Sequence, residues 1–360
     1  LAGILSFIRK VQAYSFFQRY LKTRKGFKYL SVVVALLLIT AVYRIYADVF
    51  SPNVKFPQAI TIRTGQSFEN FIFGLETRGI LQNHDGFRRL GKLFSLDKKL
   101  KPGRYQFEKG MSNMQLIRLL ISGKQQTLNV VLKQAQDIYS IAGFFSRQLE
   151  LDSLDLLQQL RDPVVLNELG FDSNTVISLF VPNTYNFYWN TNSKQLITRM
   201  QREYKQFWNK ERIVKALDLN LTQQQVASLA SIVQKETNKT DEMPVVAGVY
   251  LNRLRAGMPL QADPTIIFAW NNNEIRRVTS FHTAIESPYN TYKYAGLPPG
   301  PICMPSVQAI DAVLNAQKHE YFYFCAKEDF SGYHNFASNL RQHQNNARLY
   351  QMALNQRGIN

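Results

Sequence analysis

The spacing of apolar and polar positions divides the chain into segments of different period. Tyr29 to Tyr43, YLSVVVALLLITAVY, carries no charge, and the apolar run continues past Arg44 to Ala47. That is about 19 residues, or roughly 28 Å of helix, which matches the hydrocarbon core of a bilayer. Tyrosines at its ends suit the membrane interface, and Arg44 can extend its charged head toward the headgroups. Residues 48–57, DVFSPNVKFP, read as an extended linker. Beyond it a short pattern occurs twice. Ile60-Thr-Ile62, Gly65, Ser67, Phe71 and Ile72 return as Tyr105-Gln-Phe107, Gly110, Ser112, Leu116 and Ile117. Each copy predicts a strand of period two, a glycine turn, a serine N-cap and an amphipathic helix.

Val130-Val131-Leu132 predicts a strand, and Ile138 to Leu151, Leu154 to Leu160 and Ser193 to Phe207 carry helical spacing. The strongest helical signal begins at Thr222, which with Gln225 three residues later makes a capping-box start. Val226, Leu229, Ala230, Ile232 and Val233 then share one face. At about 100° per residue Glu236 falls on the same stripe, beside Leu229 and Ile232, while Gln234 and Lys235 point to solvent. An acid on an apolar stripe is partly desolvated, so its pKa rises and it keeps its proton near neutral pH. That is the state a proton donor needs for glycosidic cleavage. The same residues also allow an acid at a fraying helix end, exposed or paired with Lys239. Val245 to Leu254 predicts a second helix carrying Asn252 and Arg253. Gly257 turns the chain, and Leu260 to Pro264 brings Gln261 and Asp263 to a pre-proline turn. Tyr289 to Tyr292 and Leu297 to Gly300 read as loops. Tyr321 to Cys325 predicts a buried strand, and His334 before the last helix a structural hydrogen-bonding residue. The fold class is α+β.

Composition bears on the surroundings only through charge. With 360 residues, 45% apolar and 12% aromatic, the chain can bury a sizeable core in one large or two to three small domains. The formal charge is +17. Arg9, Lys10, Arg19, Lys22, Arg24, Lys25 and Lys28 precede residue 29 with no acid among them. Positive-inside logic therefore puts residues 1–28 in the cytoplasm and everything after about residue 50 outside. The long basic leader and the lack of a small-x-small site favour an uncleaved anchor over a signal peptide. Leu1, Ile4, Leu5 and Ile8 at helical spacing suggest an amphipathic segment on the inner leaflet. No helix-turn-helix, RNP, zinc-finger or phosphate-loop pattern accompanies the charge, so no nucleic-acid partner is expected. Anionic lipid and an acidic wall polymer account for it equally well. Cys303, Cys325 and five scattered histidines have no metal-ligand spacing, and neither a metal nor another cofactor is expected. One disulfide or two buried thiols both fit the two cysteines.

LASIVQKET, VYLNRLRAGMPLQADPT, SPYNTYKYAGLPPGPI and YFYFCAKEDFSGYHNF occur in this order. Together they resemble the endolytic murein transglycosylase family, MltG or YceG, from roughly Phe56 to the C-terminus. The resemblance implies that the glutamate of "KET", Glu236, is catalytic. A second glutamate that the family often carries two residues earlier is Gln234 here, which leaves Glu236 the only acid on that helix segment. It further implies a LysM-like module over residues 58–127 and a mixed α+β catalytic domain over 128–360. Phe180-Val-Pro-Asn-Thr-Tyr185 resembles the family's FPDTY element, with Asn183 in place of the acid. Ala135-Gln136 stands where the family has Glu-Gly, and Cys303-Met304 where it has a small residue and Asn. Tyr185 and the run Phe187-Tyr188-Trp189 are candidates to pack on pyranose faces, core being the alternative. Asn252, Gln261, Asp263, Tyr289, Asn290, Thr291 and Tyr292 are candidate substrate contacts, though such groups also fix one another in loops.

The activity implied is lytic. Glu236 protonates the oxygen between MurNAc and GlcNAc, and its carboxylate then takes a proton from the MurNAc 6-hydroxyl, which closes on C1 to give 1,6-anhydroMurNAc. Implied partners are peptidoglycan glycan strands and their synthases, the penicillin-binding proteins. The implied location is a single pass through the inner (cytoplasmic) membrane with the catalytic domain on the periplasmic side. A hydrolase would need a second carboxyl, for which Glu242 and Asp263 are candidates. A non-catalytic peptidoglycan-binding scaffold for cell-wall synthases would need no acid.

Overall fold

A computed structural model of the chain describes residues 23–358 and divides after Gln126 into two compact units. The expected amphipathic segment at Leu1 to Ile8 lies outside the described residues.

In the first unit the apolar run forms α1, Arg24–Phe50, whose first turn is capped by the Thr23 hydroxyl accepting from the Gly26 N–H. Its apolar side chains are exposed almost throughout, with a mean hydropathy of 2.1 over the candidate span. The helix ends beyond Ala47, and its last turn is fixed. The Asp48 carboxylate meets Arg89 at 2.6 Å and accepts from the Asn83 amide at 2.9 Å, while the Asn113 amide donates to the Asp48 carbonyl at 2.7 Å. Residues 51–55, expected as linker, are extended but stitched down. The N–H groups of Asn53 and Val54 donate to the Met111 carbonyl, and that of Lys55 to the Ile80 carbonyl. Asn53 is buried, and its side-chain oxygen accepts from the N–H groups of Gln82 and Asn83.

The repeated pattern forms two matching halves. β1 (Gln58–Ile62) leads through Gly65 to α2 (Phe68–Thr77), capped by Ser67. α3 (His84–Leu93) and α4 (Leu96–Lys99) follow. β2 (Gly103–Phe107) then leads through Gly110 to α5 (Asn113–Ser122), capped by Ser112. Gly65 and Gly110 take φ of 77° and 83°, where a Cβ would be strained. β1 and β2 pair antiparallel with Ile60 opposite Tyr105. Ile60, Ile62, Phe71 and Ile72 bury into the same cluster as Tyr105, Phe107, Leu116 and Ile117, so the two halves supply one core.

The second unit opens with β3 (Thr127–Leu132), which pairs antiparallel with β4 (Asn183–Tyr188). Between them run α6 (Ile138–Gln148), α7 (Ser153–Gln159) and α8 (Pro163–Leu169), each started by an aspartate cap. α9 (Ser193–Phe207) and α10 (Lys210–Asp218) lead to α11, Gln223–Glu236. Thr222 and Gln225 make the expected reciprocal cap. Val226, Leu229, Ala230, Ile232 and Val233 are all fully buried, each of the larger ones worth about 1.5–3 kcal/mol in burial. α12 (Met243–Arg255), α13 (Asp263–Ala269) and α14 (Val307–Leu314) pack around α11. The chain closes with an antiparallel ribbon, β5 (Tyr323–Ala326) and β6 (His334–Ala337), and with α15 (Leu340–Gln356) laid on it. β5 was expected to be buried but is half-buried, because a two-stranded ribbon has too few neighbours to cover both faces.

Candidate active site

Glu236 is the last residue of α11, and Thr237 closes the helix by donating its N–H to the Val233 carbonyl. The carboxyl is half-buried and accepts a 2.7 Å hydrogen bond on Oε1 from the Tyr250 hydroxyl. It therefore lies on α12 rather than fraying into solvent, and Lys239, the alternative partner, sits over the Tyr333 ring instead. Burial raises the Glu236 carboxyl to about 7; the Tyr250 hydrogen bond works against this, the Asp263 charge adds to it and the Arg253 charge subtracts. The negative end of the α11 dipole also disfavours ionisation there. At neutral pH the group is thus present in both the acid and the carboxylate form.

Glu236 opens on a cavity of about 300 Å³ assembled from its own helix and five other parts of the chain. α12 contributes Tyr250 and Arg253, three residues apart on one helix face. Arg253 is almost fully buried. Its Nε donates to the Phe322 carbonyl at 2.6 Å, and its Nη1 to the Leu260 carbonyl at 2.8 Å and to Gln261 Oε1 at 3.2 Å. Burial draws its pKa down, and it ties the C-terminal ribbon to the turn before α13. That turn contributes Leu260, Gln261 and Asp263, and the following loop contributes Tyr292. The Tyr292 hydroxyl donates to Asp263, and burial together with this bond raises its pKa. Phe324 of β5 and His343 of α15 complete the wall. Gln261 takes φ of 53°, a left-handed conformation that costs a non-glycine residue about 1 kcal/mol or more. It is held there because its N–H donates to the Thr291 carbonyl and the next N–H to the Thr291 hydroxyl, both at 3.0 Å.

Of the residues singled out from the sequence, Glu236, Gln261, Asp263 and Tyr292 converge on this cavity. Asn290 and Thr291 lie beneath it. Asn290 is fully buried, donates to the carbonyls of Thr283 and Ile285, and accepts from the Tyr292 N–H at 3.0 Å, so it sets the loop that presents Tyr292. Thr291 supports the 261–263 turn. Asn252 is turned to the C-terminal segment, donating to the carbonyls of His319 and Tyr321 at 2.8 and 3.0 Å. Tyr185 is in the core, its hydroxyl donating to the Val181 carbonyl at 2.5 Å, because alternation along β4 sends it inward with Phe187. Tyr289 lines a separate cavity of about 330 Å³, together with Ile177 and Phe268.

Gln234, expected in solvent, is half-buried. Its Oε1 accepts from the Ser306 N–H at 2.6 Å and its amide reaches the Cys303 sulfur at 3.6 Å, so it staples α11 to the 302–306 loop. The same loop meets the other departures from the family pattern, since Met304 N–H donates to the Ala135 carbonyl and the Gln136 amide to the Ile302 carbonyl. Glu242 does not line the Glu236 cavity. It is buried and accepts from the His334 N–H at 2.8 Å, from His334 Nδ1 at 2.7 Å and from the Thr237 hydroxyl at 3.2 Å. His334 is thereby a structural hydrogen-bonding residue. Both cysteines are free thiols, and burial pushes Cys303 up to about 11. Among the described residues no group of three or more His, Cys, Asp or Glu side chains gathers as a metal site would.

The model of the YceG-like family matches residues 60–349, which takes in both repeat halves and every part of the cavity wall. The chain belongs to the YceG-like family. Among its relatives, two pneumococcal proteins named endolytic murein transglycosylase (Streptococcus pneumoniae strains D39 and R6) are 29% identical over 336 residues. The match covers 82% of this chain but 58% of theirs, so the chain spans just over half the length of those relatives. The endolytic murein transglycosylase of Bacillus subtilis is 25% identical over 317 residues, with 83% of this chain and 86% of that protein covered. The crystal structure of a yceG-like protein from Listeria monocytogenes is similar to this chain with a TM-score of 0.51 at 25% identity, covering 81% of this chain and 99% of the other. Within this YceG-like chain, Tyr250, Arg253, Leu260, Phe324 and His343 are the cavity residues not singled out from sequence as site residues.

Proposed function

We propose that the chain is an endolytic lytic transglycosylase that cuts MurNAc–GlcNAc bonds within nascent peptidoglycan strands and leaves 1,6-anhydroMurNAc ends. The observation that carries this reading is Glu236: a half-buried acid raised to about 7 at the wall of a cavity rich in hydroxyl, amide and carboxyl groups. Its acid form donates the proton to the glycosidic oxygen as the C1–O bond breaks. The resulting carboxylate removes the proton of the MurNAc 6-hydroxyl as that oxygen bonds to C1, so the acid is regenerated and no water is consumed. A pKa near the working pH serves both halves of the cycle. Tyr250 holds the carboxyl in place, and Gln261, Asp263 and Tyr292 are placed to contact the sugar.

In the same reading α1 is a single-pass anchor in the inner membrane, with the catalytic unit on its extracytoplasmic side. The first unit is a LysM-like module that orients the site toward strands near the membrane, and the penicillin-binding synthases that extend those strands are the expected partners. The test is mass spectrometry of peptidoglycan digested by the chain and by Glu236→Gln. Anhydro-ended fragments present with the wild type and absent with the variant are expected. Reducing ends would make the enzyme a hydrolase, with Asp263 as the second carboxyl on the same cavity.

A further inference from the structure

His343 is a titratable residue of the cavity wall that the mechanism above leaves unused. It arrives from α15, a helix with no fully buried residue, far along the chain from Glu236. Its ring stacks on Tyr323 with centroids 5.3 Å apart and planes 21° from parallel. Tyr323 in turn packs against the Arg253 guanidinium, 5.2 Å from the ring centroid. This stack fixes the plane of the imidazole. The Nδ1 atom is buried and has no hydrogen-bond partner among the described residues. Nε2 makes no hydrogen bond to a described residue either, and it is not sealed from solvent. Burial, and then the Arg253 charge, pull the ring's pKa down, so it is neutral at neutral pH and offers a lone pair or an N–H.

A buried nitrogen without a partner is unfavourable, and a purely structural position would be better filled by an apolar ring of the same shape. Phenylalanine would stack on Tyr323 equally well. On the wall of the Glu236 cavity the imidazole thus adds a hydrogen-bonding nitrogen that packing against Tyr323 does not call for.

We infer that His343 is a substrate-contacting residue whose Nε2 hydrogen-bonds a hydroxyl or acetamide group of the glycan bound beside Glu236. This rests on the glycan-cleaving reading of the cavity. The contact orients the sugar, and it excludes apolar substrates, because filling the cavity without meeting Nε2 would leave both nitrogens unpaired.

The test replaces the ring and then each nitrogen in turn. His343→Phe keeps the stack and removes both nitrogens. It is expected to melt at or above the wild-type temperature while glycan cleavage falls roughly ten- to a hundredfold, the worth of one or two hydrogen bonds. His343→Gln, whose amide reaches the Nε2 position, should retain most activity, and His343→Asn, whose amide reaches only the Nδ1 position, should not. Wild-type turnover in His343→Phe, or rescue by Asn and not Gln, would overturn the inference. If His343→Phe fails to fold, the Gln and Asn pair decides. Affinity for purified glycan strands, measured in Glu236→Gln with and without His343→Phe, reads the contact without cleavage. Unchanged affinity together with unchanged cleavage sinks His343 alone, whereas a wild type that forms no anhydro ends sinks the proposed reaction and leaves the affinity comparison to judge His343.

Discussion

Replacing Glu236 by glutamine should stabilise the protein at alkaline pH while abolishing cleavage. Glutamine keeps an oxygen that accepts from Tyr250, so the 2.7 Å hydrogen bond survives, but it cannot ionise. The folded carboxyl has a pKa of about 7 against an ordinary value of 4.5, so the folded state binds the proton more tightly than the unfolded chain does. Between those two pH values the native state holds more protons, and stability falls as pH rises. The full effect corresponds to about 3 kcal/mol, complete above pH 7 and absent below 4.5. Glu236→Gln does not suffer this loss. Melting curves of wild type and variant should therefore coincide near pH 4 and separate progressively, reaching roughly 6–12 °C at pH 8 for a unit of this size. Differential scanning calorimetry of the detergent-solubilised chain across that range supplies the comparison. Parallel curves, or a variant less stable at pH 8, would refute the claim that desolvation holds the proton on Glu236.

Three further outcomes follow from the same geometry. Tyr250→Phe removes the bond that lowers the Glu236 pKa, so the alkaline limb of the cleavage profile should move to higher pH, with about 1 kcal/mol lost in stability; an unmoved limb in a pH–rate series would count against the pairing. Glu242→Ala breaks a buried contact that joins Thr237 to His334, and chemical denaturation should show a loss of about 3 kcal/mol or more. A change below 1 kcal/mol there would mean that Glu242 does not hold the end of α11. Asn53→Ala leaves the Asn83 N–H without an acceptor and the Gln82 N–H with only the Asn53 carbonyl, and should cost about 2 kcal/mol, seen as faster hydrogen exchange over residues 51–126; unchanged exchange in β1 and β2 would contradict it.

What could be read from the sequence was what local spacing encodes. The apolar stripe of α11, its reciprocal cap and the position of Glu236 on the stripe depend on residues within four of one another. The duplicated strand–turn–helix is legible for the same reason. Asn290 and Thr291 carry amide and hydroxyl groups suited to sugars, but the same chemistry fixes turns, and only the fold shows which task each performs. Tyr250 looks like one more apolar residue of a core helix until Glu236 is set opposite its hydroxyl. Phe324 and His343 join the site from a ribbon and a helix about a hundred residues downstream, and no periodicity announces that closure. Residues 51–55 read as linker because Ser, Pro, Asn and Lys dominate them, whereas the partners of Asn53 lie 30 and 60 positions away.

The clamp on Asp48 makes α1 and the small unit one mechanical piece. A bead on a slack string can spin freely, but a head welded to its shaft turns only when the shaft turns. Three side chains, Asn83 at the cap of α3, Arg89 within it and Asn113 at the start of α5, grip the last turn of α1, and the chain leaves that turn directly into bridged backbone. A fluorophore on the outer face of α3 would accordingly report the slow tumbling of whatever holds α1, with little fast wobble of its own.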